Sequence, residues 1–130
     1  MKWLTAILLM TPFVVLAAPP MNVGLSWNYP TEREDGTALA LSELELFRLE
    51  CGVSSGQYQL SRDYAPIPGT PTLSKETIMA DLNLTFDVEY WCVASVRDTG
   101  GRASVRSNEI NFLVPEPVPA NPGAPVLRVE

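Results

Sequence analysis

Tyr90-Trp91-Cys92-Val93-Ala94-Ser95-Val96-Arg97, then Asp98-Thr99-Gly100-Gly101 and, further on, Ile110-Asn111-Phe112-Leu113-Val114, is the stretch that decides the fold. Tyr90, Cys92, Ala94 and Val96 alternate with Trp91, Val93, Ser95 and Arg97, the period of two of a strand with one buried face. The residues from Asp98 to Gly101 are turn formers, and Ile110, Phe112 and Val114 then resume an alternation. The reading is a hairpin in which both strands turn a face to a core.

The segments on either side repeat the pattern. Upstream, Val23, Leu25 and Trp27 alternate and stop at Tyr29-Pro30, and a charged loop from Thr31 to Thr37 closes on the turn dipeptide Asp35-Gly36. Leu44 to Cys51 reads as the next strand, with Phe47, Leu49 and Cys51 on one face. Residues Thr37 to Leu49, rich in Leu, Ala and Glu, would also suit a helix by propensity, but the strand-like neighbours outweigh so weak a preference. After the turn Ser54-Ser55-Gly56, Gln57 to Arg62 reads as a short strand. The proline-laden Pro66 to Pro71 cannot form a ladder and is a connecting loop. Ile78, Ala80, Leu82 and Leu84 alternate as the strand preceding Tyr90. Short strands with turn signals about every 8–12 residues predict an all-β sandwich or barrel.

The two ends of the 130-residue chain differ from this middle. Lys2 and the apolar run Trp3 to Ala17 are shorter than the roughly 20 residues a membrane-crossing helix needs. Val15-Leu16-Ala17 places small residues where a signal peptidase cuts, so residues 1–17 are expected to be a signal peptide, cleaved after Ala17 or Ala18. The protein is then secreted or periplasmic, without membrane insertion after cleavage. Residues 18–114 suffice for one domain. From Pro115 to Pro125 five of eleven residues are proline, a stiff extended spacer within a proline-rich C-terminal tail, residues 115–130. A disordered tail is expected there, although Leu127 and Val129 have the spacing of one added edge strand.

The net charge is −6, and cleavage would remove Lys2 and make it more negative. A chain with no basic cluster lacks the electrostatic footprint for a polyphosphate, which argues against nucleic acid and anionic membranes as partners. It has no histidine, so Ser-His-Asp, Cys-His and His-based zinc arrangements are ruled out. No Gly-rich phosphate loop opens a helix. Glu32, Glu34 and Asp35 lack the acid pattern of a calcium loop and read as a solvated loop. Asp87 and Glu89, in an expected strand, offer a carboxylate pair, but a sandwich this small is expected to offer little concave pocket to hold a substrate around it. The Asn83-Leu84-Thr85 sequon has an apolar centre expected to be buried. No catalytic residue, metal site or cofactor is expected.

Val23-Gly24-Leu25-Ser26-Trp27, Asp35-Gly36-Thr37, Phe47-Arg48-Leu49 with Gly52 and Ser54-Ser55-Gly56, Tyr90, and Asp98-Thr99-Gly100-Gly101-Arg102 through Ser107-Asn108-Glu109 together resemble a fibronectin type III domain of the exported bacterial kind. The resemblance covers about residues 20 to 114. It implies a seven-stranded immunoglobulin-like β-sandwich with Trp27 on the second strand as core anchor. It also implies that Leu84-x-Phe86-x-Val88-x-Tyr90 is a tyrosine corner, though without the Pro and Gly usual between its Leu and Tyr. In the family's topology the strands of Cys51 and Cys92 are antiparallel neighbours, so the resemblance places the two cysteines side by side as a disulfide in an oxidising compartment.

Trp91, Val93 and Leu113 have the opposite parity and are expected to face outward, with Leu44 and Leu46 on the neighbouring strand. Trp91, Val93, Leu113 and Leu46 are therefore the candidate partner patch. The expectation is a non-catalytic fibronectin type III module mediating protein or glycan interaction at the cell envelope. The alternative is a structural spacer in a surface assembly with no discrete ligand.

Overall fold

The computed structural model describes residues 18–130, so the expected signal peptide at residues 1–17 lies outside the described residues. In chain order the elements are β1 (Gly24–Ser26), a single 3-10 turn (Leu41–Glu43), β2 (Leu44–Gly52), β3 (Leu60–Tyr64), β4 (Thr72–Ser74), α1 (Lys75–Leu82), β5 (Tyr90–Asp98) and β6 (Ile110–Phe112). They form a four-stranded antiparallel sheet, β3-β2-β5-β6, and a two-stranded antiparallel sheet, β1-β4. The all-β class holds, with six strands among the described residues rather than the expected seven.

The core lies between the sheets. Phe47, Leu49 and Cys51 of β2, Tyr90 and Cys92 of β5, and Phe112 with Val114 meet Ile78, Leu82, Leu84 and Met21, with Leu25, Trp27 and Leu73 packed against them. Gly24 permits the close pairing of β1 with β4, since a Cβ there would sit 1.9 Å from the Leu73 carbonyl oxygen. The expected core position of Val23 is not taken up: its side chain is 83% exposed, although its carbonyl still accepts the Lys75 N–H.

The largest departure is α1, where the alternation of Ile78, Ala80, Leu82 and Leu84 predicted a strand. Ile78 and Leu82 are four apart, a spacing that also lines one face of a helix, and both are buried while Ala80 is exposed. Ser74 begins the helix by accepting the Thr77 N–H on its Oγ at 3.2 Å. Glu76 in the first turn suits the positive end of the helix dipole. Asn83, in the left-handed region at φ 53°, closes it, and the Leu84 N–H reaches back to the Met79 carbonyl. Three further corrections are local. β3 begins at Leu60, not Gln57, because residues 54–57 are taken up by a tight turn. Asp87 and Glu89 precede β5 instead of lying in a strand, with Asp87 at φ 60°. A bulge between Leu44 and Leu46 puts two residues of β2 against one of β5, so Leu44, expected outside, turns in and is buried.

The hairpin of the opening stretch is present, with its turn closed by the Gly101 N–H on the Asp98 carbonyl and the Asp98 N–H on that of Arg102. Its return arm becomes regular only at Ile110. Before that, Ser104 and Ser107 satisfy β5 from irregular chain: each backbone N–H donates to the carbonyl of Val96 or Ala94, and each Oγ accepts that residue's N–H at 3.0 and 2.9 Å. Ile110, expected on the core face, is at the sheet margin and 37% exposed.

Candidate functional site

Cys51 and Cys92 are bonded to each other, with both residues fully buried. Ala94 and Val96 direct their N–H and C=O groups away from β2, so the alternation of an antiparallel ladder turns those of Cys92 away as well. Cys51 and Cys92 thus face each other as a non-hydrogen-bonded pair, the closer kind, with Cα atoms 4.1 Å apart. The Tyr90 phenol oxygen accepts the Thr85 N–H at 2.8 Å, the bond of a tyrosine corner, and Asp87 occupies the left-handed position between Leu84 and Tyr90.

The structure divides the expected patch. On the outer face of the four-stranded sheet the cross-strand rows are Leu46 with Arg97, Asp63 with Arg48 and Ser95, Ser61 with Glu50 and Val93, and Gly52 with Trp91 and Asn111. Trp91 and Val93 are therefore adjacent, with Leu113 beyond Asn111, whereas Leu46 is cut off by the Arg48 row. Val93 is not outward-exposed as expected: it is buried at 5%, while Trp91, Leu113 and Leu46 are half-buried. Ion pairs run across the rest of the face. Arg48 binds Asp63 at 2.7 Å, Arg97 binds Glu45 at 3.1 Å, and Arg106 binds Glu50 at 3.2 Å with its guanidinium 5.1 Å from the Tyr58 ring centre. Glu109 accepts from Ser55 Oγ, the Gly56 N–H and the Tyr58 hydroxyl, which lowers the carboxyl's pKa and raises the phenol's. This face is polar and internally paired, with a small apolar end.

The charged loop is also engaged internally. Asp98, 5% exposed, accepts from Arg33 at 2.8 Å, from the Arg102 N–H at 2.8 Å and guanidinium at 3.0 Å, and from the Gly100 N–H. The Arg33 guanidinium foremost, then the two Arg102 donors, hold its carboxyl well below the usual carboxylate range. Asp35 accepts from both the N–H and the hydroxyl of Thr37, which depresses its pKa too. Among the described residues no group of three or more metal-ligating side chains comes together. At the other end of the core, Tyr64 donates to Asp81 at 2.8 Å and ties β3 to α1; burial, with that carboxylate's help, pushes the phenol up to about 12.

The feature the sequence reading missed is an open cleft of about 1390 Å³ between the edges of the two sheets. Leu25, Ser26 and Trp27 form one wall, Ser104 to Asn108 the other, and Phe47, Leu49, Ala94 and Val96 lie along its floor. Glu32, Glu34, Asp35 and Arg102 stand at one end. Trp27 stacks on Phe47 with ring centres 4.2 Å apart and interplanar angle 7°. Its indole Nε1–H is buried with no hydrogen-bond partner among the described residues.

The wall at β1 is a strand edge. The Trp27 N–H donates to Pro71 and the Lys75 N–H to Val23, so Val23, Leu25 and Trp27 direct their backbone groups to β4. Gly24 and Ser26, between them, direct theirs to the opposite side. Among the described residues no strand covers that side: Pro19 and Met21 bond to Leu113 instead, and Pro20 bridges it in parallel. A signal for this was present: the pair Pro19-Pro20 lacks the donors for a ladder over β1.

No family model matches the chain, and neither the curated proteins nor the solved structures contain a match to it. Among the described residues no helix is long and apolar enough to cross a membrane, and the disulfide is compatible with an extracellular or periplasmic protein.

Proposed function

We propose that this chain is an exported, non-catalytic module of the fibronectin type III kind that holds an extended polypeptide in the cleft beside β1. The observation that carries the reading is the edge of Gly24 and Ser26, left uncovered among the described residues above an apolar floor. Backbone groups along such an edge give affinity, and a floor beneath it sorts alternate side chains of an added strand. The tyrosine-corner bond and the buried cysteine pair support the family resemblance. A stacked Trp beside polar Ser26, Asn28 and Asn108 would also suit a glycan, which the test below separates.

Hydrogen exchange at the Gly24 and Ser26 amides, followed during titration with extended peptides and with oligosaccharides, tests the reading. Ser26→Pro removes the free N–H without touching the β1-β4 ladder. Peptide-dependent slowing of exchange in the wild type, abolished by Ser26→Pro, is expected. Oligosaccharide binding that ignores Ser26→Pro, or no binding of either class, would overturn it. A purely structural spacer role has its own support in the internally paired outer face and the proline-rich segment.

A further inference from the structure

We infer that the strand held by the cleft is Val126–Val129 of a second copy of this chain, so that copies link head to tail; this rests on the cleft reading above. Val126, Leu127 and Val129 are 75%, 97% and 100% exposed, apolar side chains in water at the far side of the proline-rich spacer. In extended conformation Leu127 and Val129 share one face, the pairing needed to sit beside Leu25 and Trp27 over Leu49, Ala94 and Val96. Arg128, between them, is the only cation from residue 115 to 130, and the cleft's end, where Glu32, Glu34, Asp35 and Asp98 outnumber Arg33 and Arg102, is acidic on balance.

The reach is right for a neighbour and wrong for the chain's own cleft. The segment leaves the domain beside Asp87, whose N–H donates to the Val114 carbonyl and whose carboxylate accepts the Glu116 N–H. This is the Tyr90 end of β5, whereas the cleft runs from there toward Asp98. Eleven residues of proline-rich spacer at about 3.1 Å each extend roughly 34 Å, about the width of a domain of this size. Such a spacer is stiff over several residues, so it carries Val126 away from its own domain and does not double back. Donor and acceptor are different surfaces, so the contact is heterologous and adds copies one after another, as an open chain wherever the rotation between them does not close a ring.

Sedimentation of the full chain at rising concentration tests this, with two variants that leave the core alone: Ser26→Pro, which blocks the acceptor, and the double change Leu127→Asp with Val129→Asp, which destroys the donor. The wild type is expected to form a ladder of linear oligomers and each variant to stay monomeric. A mixture of the two variants retains one sound donor and one sound acceptor, and is expected to stop at a dimer. A synthetic peptide of residues Asn121 to Glu130 is expected to slow exchange at Gly24 and Ser26, and to bind Ser26→Pro at least tenfold more weakly. Wild type that stays monomeric, or oligomers that persist in the double variant, would overturn the inference. If unrelated peptides still protect Gly24 and Ser26 while the Asn121–Glu130 peptide does not, the cleft reading stands and only the identity of the occupant falls.

Discussion

The Tyr90 hydroxyl is separable from its ring, which makes it a clean probe of the corner. Tyr90→Phe keeps the buried ring beside Phe112 and removes the acceptor of the Thr85 N–H. It is expected to cost about 1–2 kcal/mol, read as a lower urea midpoint at unchanged slope. Asp98 gives a pH signature. Its carboxyl is held below its ordinary value of 3.8 by Arg33 and Arg102, so the stabilisation is complete above that value and is lost as pH falls through and below it. Thermal melts from pH 5 to pH 2 are expected to show a decline that is flatter in Asp98→Asn. Some of this detail was legible. Tyr90 at the corner and the cysteine pairing followed from the resemblance, whereas Asp87 in the left-handed position did not, since aspartate only tolerates a geometry that glycine would have announced. The partners of Asp98 and Glu109 lie as far as 65 residues away along the chain, and no local pattern points to them.

At the scale of elements, the lesson comes from α1 and from the bulge in β2. Alternation at 78, 80, 82 and 84 contains the helical pair 78 and 82, so a short apolar series fits both periods; what decides is the capping chemistry at Ser74 and Asn83. Ser74→Ala is accordingly expected to destabilise the domain by about 1 kcal/mol, with amide exchange quickening in Lys75–Leu82 before it does in β2 or β5. The long strands β2 and β5 were legible because a sustained alternation outweighs local propensity, even where Thr37 to Leu49 would also have suited a helix. Strand β1 was legible in place but not in its consequence. Only three residues pair, and what matters most about it is the side that none of the described residues covers. Parity arithmetic failed at Leu44 for an equally physical reason: one extra residue at a bulge reverses every face beyond it.

For the whole molecule, the Cys51–Cys92 bond ties the two central strands of the larger sheet, and not one sheet to the other. It closes a loop with a sequence separation of 41, worth about 4 kcal/mol on the chain-entropy view. Denaturant unfolding with and without reductant is expected to differ by that order, and an unchanged midpoint would show that the link does not constrain the unfolded chain. The apolar surface expected on the outer face is largely crossed by ion pairs, while the accessible apolar surface lies between the sheet edges. That exchange of faces was not legible, because residue parity distinguishes inside from outside but not a closed interior from an open one.

The way the two ends of the domain are fastened bears on how it would behave under tension. Pro19 and Met21 run parallel to Leu113 and are bonded to it at 3.1 and 2.8 Å. Pulling the flanking chain in opposite directions therefore shears those bonds together and does not peel them one at a time. Once they give, the covalent link between residues 51 and 92 withholds the enclosed 41-residue span from stretching, roughly 140 Å of contour at about 3.4 Å per residue. A tethered row of such domains would yield in short steps and lengthen abruptly in a reducing bath, behaving as a rope whose slack is set by a redox couple.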